Sequence, residues 1–384
     1  SELSYTHVGE HLLAMFTSPR HWDFHKLTHQ LGQLGSLTNA YTDTFTTGYW
    51  LEGRRQNTTL FMQLLADMFF RYEFYDDWEK QKNIVLEELK MRSTYAWVDL
   101  DELENRVLYD QHRLGVGWKQ ELANVQRASL NDVLRYNRHL LNPRCALLSI
   151  EGNIPNVHQL KKQIVALFDQ PGLSTFVPRV PAAPGLYSKN GPVVKHLQLK
   201  NVNTGRIVMV FQHSICTFDA ANVAKLTSLL RYFSDGYFSR LYQVLREQKG
   251  LVYGVSDEQF YSPVPDKICS YVRFVINVDP QNIDEVLHVV HNEIRLVKEK
   301  LIDAENFLRI RNVNEVFKSN QILDKRLGKY SDWYGANILW GKRVTTFENY
   351  YDLFKQVTPE DIQSVAQRVL DVNRSLVLVA RPDK

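Results

Sequence analysis

One stretch limits the fold more than any other in this sequence: Gln170–Pro192, QPGLSTFVPRVPAAPGLYSKNGP. It holds five of the 13 prolines and three of the 18 glycines, and its apolar residues follow no period. Proline fixes φ and removes a backbone donor, so such a stretch runs extended and joins neither a helix nor a sheet interior. It predicts a linker over 171–192 between halves at 1–170 and 193–384. A chain of 384 residues also exceeds the usual size of one domain.

The two halves end alike. The first closes with SLNDVLRYNRHL from Ser129, then Asn142-Pro143, then the apolar run CALLSI at 145–150. The second closes with TPEDIQSVAQRVL from Thr358, then Asn373-Arg374, then SLVLVA at 375–380. Ser129 and Thr358 are of N-cap type, and Pro359 suits a first helical position. Each short apolar run is of strand type. The pattern predicts a duplicated α+β unit, each copy an antiparallel or mixed sheet with helices packed on one face.

Composition narrows the class. With 44% hydrophobic and 23% charged residues, the chain has enough apolar material for large cores without staples. A net charge of +3 offers no concentrated basic face, so nucleic acid is not expected as a partner. No window reaches the roughly 18–20 apolar residues of a membrane span. The opening SELSYTHVGEHLL has no basic-then-apolar leader pattern. Cys145, Cys216 and Cys269 are odd in number and far apart, which predicts reduced thiols and a cytoplasmic location.

Chemistry is concentrated in His7-Val8-Gly9-Glu10-His11, an H-x-x-E-H motif. On a helix, His7 and His11 stand one turn apart on one face and can share a metal ion. Glu10 then reaches a metal-bound water without ligating. A catalytic zinc takes three protein ligands and keeps one position open, so a third ligand must come from elsewhere. NIVLEELKMR, at 83–92, places Glu87 and Glu88 about 100° apart on a helix, so only one of them can face the site. Residue types alone leave Glu87, Glu88, Asp76, Asp77 and Glu79 open. His21, His25 and His29 repeat every four residues but have no acidic or thiol partner at ligand spacing, and are read as a solvated helix face.

HVGEH followed by VLEELKMR resembles the pitrilysin, insulysin and mitochondrial processing peptidase family, the inverzincin zinc peptidases. LGSLTNAYT, at 34–42, is similar to that family's peptide-holding edge strand, and LYQVLREQKGLVY, at 241–253, to its second-half Arg/Tyr segment. The resemblance covers nearly the whole chain. It implies His7, His11 and Glu88 as zinc ligands and Glu10 as catalytic base. Arg246 and Tyr253 would act at the scissile carbonyl, and Asn39, Ala40 and Thr42 on the substrate strand. It further implies two halves facing each other across a peptide-binding chamber, and hydrolysis of extended peptides. Because a closed chamber takes four such units, a homodimer is implied; a heterodimer with a related subunit is the alternative. A non-catalytic or peptide-binding subunit is the rival function. The sequence departs from the family in three places. Only six residues precede His7, Leu3-Ser4-Tyr5-Thr6 replaces a usual glycine, and Gln81 stands where a supporting glutamate is common.

Overall fold

The computed structural model describes residues 3–14, 24–71, 78–141, 145–169, 182–183, 191–323, 328–339 and 345–383. In chain order the first elements are α1 (Leu3–Ala14), α2 (Phe24–Gln33), the strands β1 (Leu37–Thr42) and β2 (Thr47–Glu52), α3 (Thr58–Phe70) and α4 (Trp78–Arg92). Next come α5 (Val98–Tyr109), α6 (Trp118–Arg127), α7 (Leu130–Leu140) and α8 (Val157–Phe168). The second half continues with β3 (Val193–Leu199), β4 (Gly205–His213), α9 (Ala220–Phe233), α10 (Arg240–Tyr242), β5 (Val252–Phe260) and β6 (Ser270–Val278). It ends with α11 (Ile283–Glu299), α12 (Ala304–Leu323), α13 (Lys329–Leu339), α14 (Phe347–Gln356), α15 (Pro359–Val369) and β7 (Ser375–Pro382). The fold is α+β. None of the described helices is long and apolar enough to cross a membrane.

These elements form two compact units. One comprises 1–95, 116–179 and 326–339; the other comprises 96–115, 180–325 and 340–384. Each therefore contains a piece of chain that the sequence alone assigns to the opposite half. Apart from 182–183 and 191–192, the predicted linker lies outside the described residues.

In the first unit, Val8 and Leu12 of α1 meet Val85 and Leu89 of α4, Val125 of α6 and Val133 of α7, all buried. Both helices present their apolar residues at i and i+4, the spacing that stacks one face. A second cluster joins Leu13, Leu31, Leu64 and Met68 beneath the β1–β2 hairpin, with Tyr49 and Leu51 packed against it. Ser129 caps α7 through a capping box with Asp132. The apolar run 145–150, expected as a strand, is not one. Among the described residues the sheet of this unit is the two-stranded hairpin alone, and 145–150 pairs with no strand. A strand needs a neighbouring strand to satisfy its backbone groups, whatever its side chains, and 145–150 is paired with neither strand of the hairpin.

The second unit gives the equivalent run such neighbours. Its five-stranded sheet runs β3-β7-β4-β6-β5, with β3 and β7 parallel and the remaining neighbours antiparallel. The run 375–380 becomes β7, between β3 and β4, and Leu376 to Ala380 are all buried. On one sheet face Phe274 packs against Phe233 of α9 at 5.5 Å between ring centroids. Thr358 caps α15 with a capping box to Asp361, and Pro359 occupies the first turn as expected.

Candidate metal centre

The first-unit core places the site. On α1, Val8 and Leu12 point inward, so His7 and His11, each one residue earlier, turn about 100° to the side together. On α4, Val85 and Leu89 point inward, and Glu88 turns aside in the same way. The three side chains converge. His7 Nε2 lies 3.3 Å and His11 Nε2 3.7 Å from Glu88 Oε2. The two imidazoles meet edge to face, with centroids 5.0 Å apart. Among the described residues, these three form a group of His, Cys, Asp or Glu side chains close enough to hold one metal ion.

The spacing fits zinc. Bonds of about 2.0–2.2 Å in a tetrahedron separate ligand atoms by roughly 3.4 Å. A direct charge-assisted hydrogen bond would be shorter, about 2.7–2.9 Å. Burial, and then the charges of His11 and Arg92, push His7 down to about 4 against the pull of Glu88. His7 is therefore neutral near pH 7, the form in which imidazole ligates.

The other glutamates of the segment point elsewhere: Glu87 is exposed and pairs with Lys90 at 2.7 Å, and Glu79 is exposed. Asp76 and Asp77 lie outside the described residues, as does His21; His29 is exposed on α2. Gln81 is buried on α4, two turns before Glu88. Glu10 is also buried, at 9% exposure. Its charge, after burial itself, raises the Tyr49 hydroxyl above the ordinary tyrosine range.

Gly9 allows this helix to sit where it does. A Cβ there would lie 2.2 Å from Oδ1 of Asn137, a side chain 1% exposed on α7. The motif's glycine is thus a point of close helix approach.

On the hairpin, Asn39, Ala40 and Thr42 lie on β1, which pairs with β2 and, among the described residues, with nothing on its other edge. The Asn39 side chain accepts from the Ala40 amide at 2.9 Å.

Arg246 and Tyr253 belong to the second unit. Arg246 sits in a π-helical turn, Gln243–Gln248, that continues α10. Tyr253 is the extra residue of a β-bulge where β5 shifts register between Val252 and Gly254 against β6. Both irregularities are of kinds that re-aim side chains and collect at functional sites. Arg246 donates to the main-chain carbonyl of Tyr253 and lies over the Tyr242 ring, while the Tyr253 side chain is 57% exposed.

Two neighbours carried no sequence signal. Tyr49 comes within the electrostatic influence of Glu10 because the hairpin lies near α1. Arg92, one turn beyond Glu88, acts on His7 and pairs with Glu121 of α6 at 3.2 Å. Its i+4 spacing from Glu88 was visible, but nothing marked it as close to His7.

Residues 5–113 match the profile described as insulinase (peptidase family M16), and residues 127–314 match that of the peptidase M16 inactive domain. The uncharacterized zinc protease YmxG of Bacillus subtilis is 22% identical over 383 residues, covering 98% of this chain and 88% of that protein. The uncharacterized zinc protease SCO5738 of Streptomyces coelicolor is also 22% identical over 383 residues, covering 97% of this chain and 80% of its own. In fold, the chain superimposes on a protease from Helicobacter pylori with a TM-score of 0.79 at 14% identity, covering 99% of this chain and 89% of that one. Two profiles of one family thus follow each other along most of the sequence, and the chain belongs to peptidase family M16.

Proposed function

We propose that this chain is a zinc metalloendopeptidase that hydrolyses extended peptides or unfolded segments. The observation that carries this is the convergence of His7, His11 and Glu88 at separations of 3.3 and 3.7 Å, close to the edge of a zinc tetrahedron. The names of the relatives, zinc proteases, support the same metal.

His7 Nε2, His11 Nε2 and Glu88 Oε2 would hold the ion, which when bound would acidify a water and polarise the scissile carbonyl. Glu10 accepts a proton from the attacking water and returns it to the leaving amine. That carboxylate is buried, and its charge is felt at Tyr49. The Tyr253 hydroxyl and Arg246 donate to the oxygen that gains charge, a role in which losing one donor typically costs about a hundredfold or more in rate. The open edge of β1 takes up substrate as an added strand, with Asn39, Ala40 and Thr42 along it. Strand addition selects for extended chain. The Asn39 side chain must first release the Ala40 amide if that N–H is to serve the peptide.

We further propose a homodimer, with a heterodimer as the alternative, and a reducing, cytoplasmic setting supported by three free cysteines. The test is hydrolysis of a mixed pool of unstructured peptides by zinc-loaded protein, followed by mass spectrometry beside Glu10→Gln. Cleavage that vanishes in Glu10→Gln while zinc still binds supports the assignment. Zinc binding with peptide capture but no cleavage by the wild type would make the chain a peptide-binding subunit.

A further inference from the structure

The turn between α9 and α10 leaves two aromatic rings in water. Tyr237 is 72% and Phe238 73% exposed, more than any other large apolar side chain among the described residues. The turn is nevertheless held at both ends. At its start the Ser234 hydroxyl donates to Asp257 of β5 at 2.7 Å. At its end Arg240 donates to buried Glu293 of α11 at 2.7 and 3.1 Å. Within it, the Gly236 carbonyl accepts from the Ser239 amide and hydroxyl at 3.1 and 2.8 Å, and the Tyr237 carbonyl accepts from the Gln243 side chain at 2.6 Å. Gly236 takes a φ of +78°, a conformation that favours glycine.

These rings adjoin the two groups assigned to the scissile carbonyl. Tyr237 meets the Tyr242 ring edge to face at 5.2 Å, and the Arg246 guanidinium lies over Tyr242 at 5.4 Å. Arg246 in turn donates to the Tyr253 carbonyl, and the Tyr253 side chain is itself exposed. The Tyr237 ring is therefore within about 11 Å of the Arg246 guanidinium, a length that about three residues of extended peptide span. Single apolar side chains on a surface need no explanation, but a fixed pair joined to polar donors is the composition of a ligand site. A turn already held in place loses little freedom when a ligand covers it.

We propose that Tyr237 and Phe238 seat a bulky apolar side chain of the bound peptide. The chain then prefers substrates with an aromatic or large aliphatic residue within about three positions of the bond served by Arg246 and Tyr253. That the occupant is an extended peptide rests on the peptidase reading; the turn adds which side chain the peptide carries. Two aromatic side chains offer at most about 500 Å². That falls short of the roughly 800 Å² per partner in a stable protein interface, which favours a peptide side chain over a second copy of the chain. Burying one such side chain against the rings strengthens binding about tenfold or more.

The test is equilibrium binding, by fluorescence anisotropy, of labelled unstructured peptides that carry one phenylalanine at successive positions, each beside its serine twin. The full chain carries Glu10→Gln and zinc is present, so that bound peptide stays whole. Phenylalanine peptides should bind about tenfold or more tighter than their serine twins. Tyr237→Ser with Phe238→Ser should erase that difference, and Tyr237→Phe, which keeps the ring, should retain it. Equal affinities for the twins, no binding of either, or a preference that survives in the double variant overturns the seat. So does a wild-type dimer that the double variant loses in sedimentation, since the pair is then an interface between copies. Cleavage by the wild type is read separately. A chain that captures phenylalanine peptides through this pair yet cuts nothing leaves the seat standing and sinks the peptidase reading.

Discussion

Both halves of the sequence carry a boxed helix followed by an apolar run, yet only one of them turns that run into a strand. In the second unit, Ser375–Pro382 slots between β3 and β4 and disappears into the core. In the first, 145–150 pairs with no strand among the described residues, and Leu147 is left 39% exposed. The difference lies in the partners. Helix starts are decided by three or four adjacent residues, whereas a strand is decided by chain that can be hundreds of positions away. The same contrast separates the proposed functional parts: the metal cluster is built from helices on a local core, the Arg246–Tyr253 pair from a π turn and a bulge.

The sharpest way to break this comparison is to shorten equivalent leucines. Leu378 is fully buried in β7 and Leu148 is half-buried in the unpaired run. Leu378→Ala should cost about 2–5 kcal/mol and Leu148→Ala less than about 1 kcal/mol. Urea unfolding followed by exchange in each unit measures both. Equal costs would mean that the first-unit run is packed as tightly as a strand.

Acid should act next. Burial, then the charge of Arg368, pushes His213 at the end of β4 down to about 4. Its folded value lies below the unfolded 6.5, so its contribution is present above 6.5 and is lost as pH falls towards 4. Fully developed, that loss is on the order of 3 kcal/mol. His213→Gln should flatten this slope in the second unit. In the first unit His7 has the same depressed value, but zinc added to the protein should move its acid loss to lower pH and leave that of His213 unchanged. Melting temperature against pH, with and without zinc, distinguishes the two.

Glycines sharpen the contrast further. Gly9→Ala drives a methyl into buried Asn137 and should cost about 1–3 kcal/mol, with weaker zinc binding in calorimetry. Gly254→Ala in the second unit meets nothing within 4 Å and should be near neutral in stability. A well-tolerated Gly9→Ala would show that α1 can shift on α7 without disturbing the ligands.

Much of the site was legible because helices obey local rules. The i, i+4 histidines and the N-cap residues Ser129 and Thr358 follow from neighbouring residues. The choice of Glu88 does not: WEKQKNIVLEELKMR spreads charge around the helix, and the family resemblance supplied it. Only the burial of Val85 and Leu89 explains why Glu88 turns to the histidines while Glu87 pairs outward with Lys90. The influence of Glu10 on Tyr49 and the exchange of 96–115 and 326–339 between units are tertiary, and no period or spacing announces them.

The smallest effect is also the cleanest control. Ser129 accepts from the Asp132 amide at 3.2 Å, and Thr358 from the Asp361 amide at 3.2 Å. Both caps sit on exposed backbone and satisfy the same orphan donors, so Ser129→Ala and Thr358→Ala should each cost about 1 kcal/mol. If strand partners are all that distinguishes the units, the two losses should match within a few tenths of a kcal/mol, each read by exchange in its own unit. A much smaller loss at Ser129 would mean that the first-unit helix is held mainly by Val133 in the core beneath the histidines. The two copies would then differ in their helices as well as in their strands.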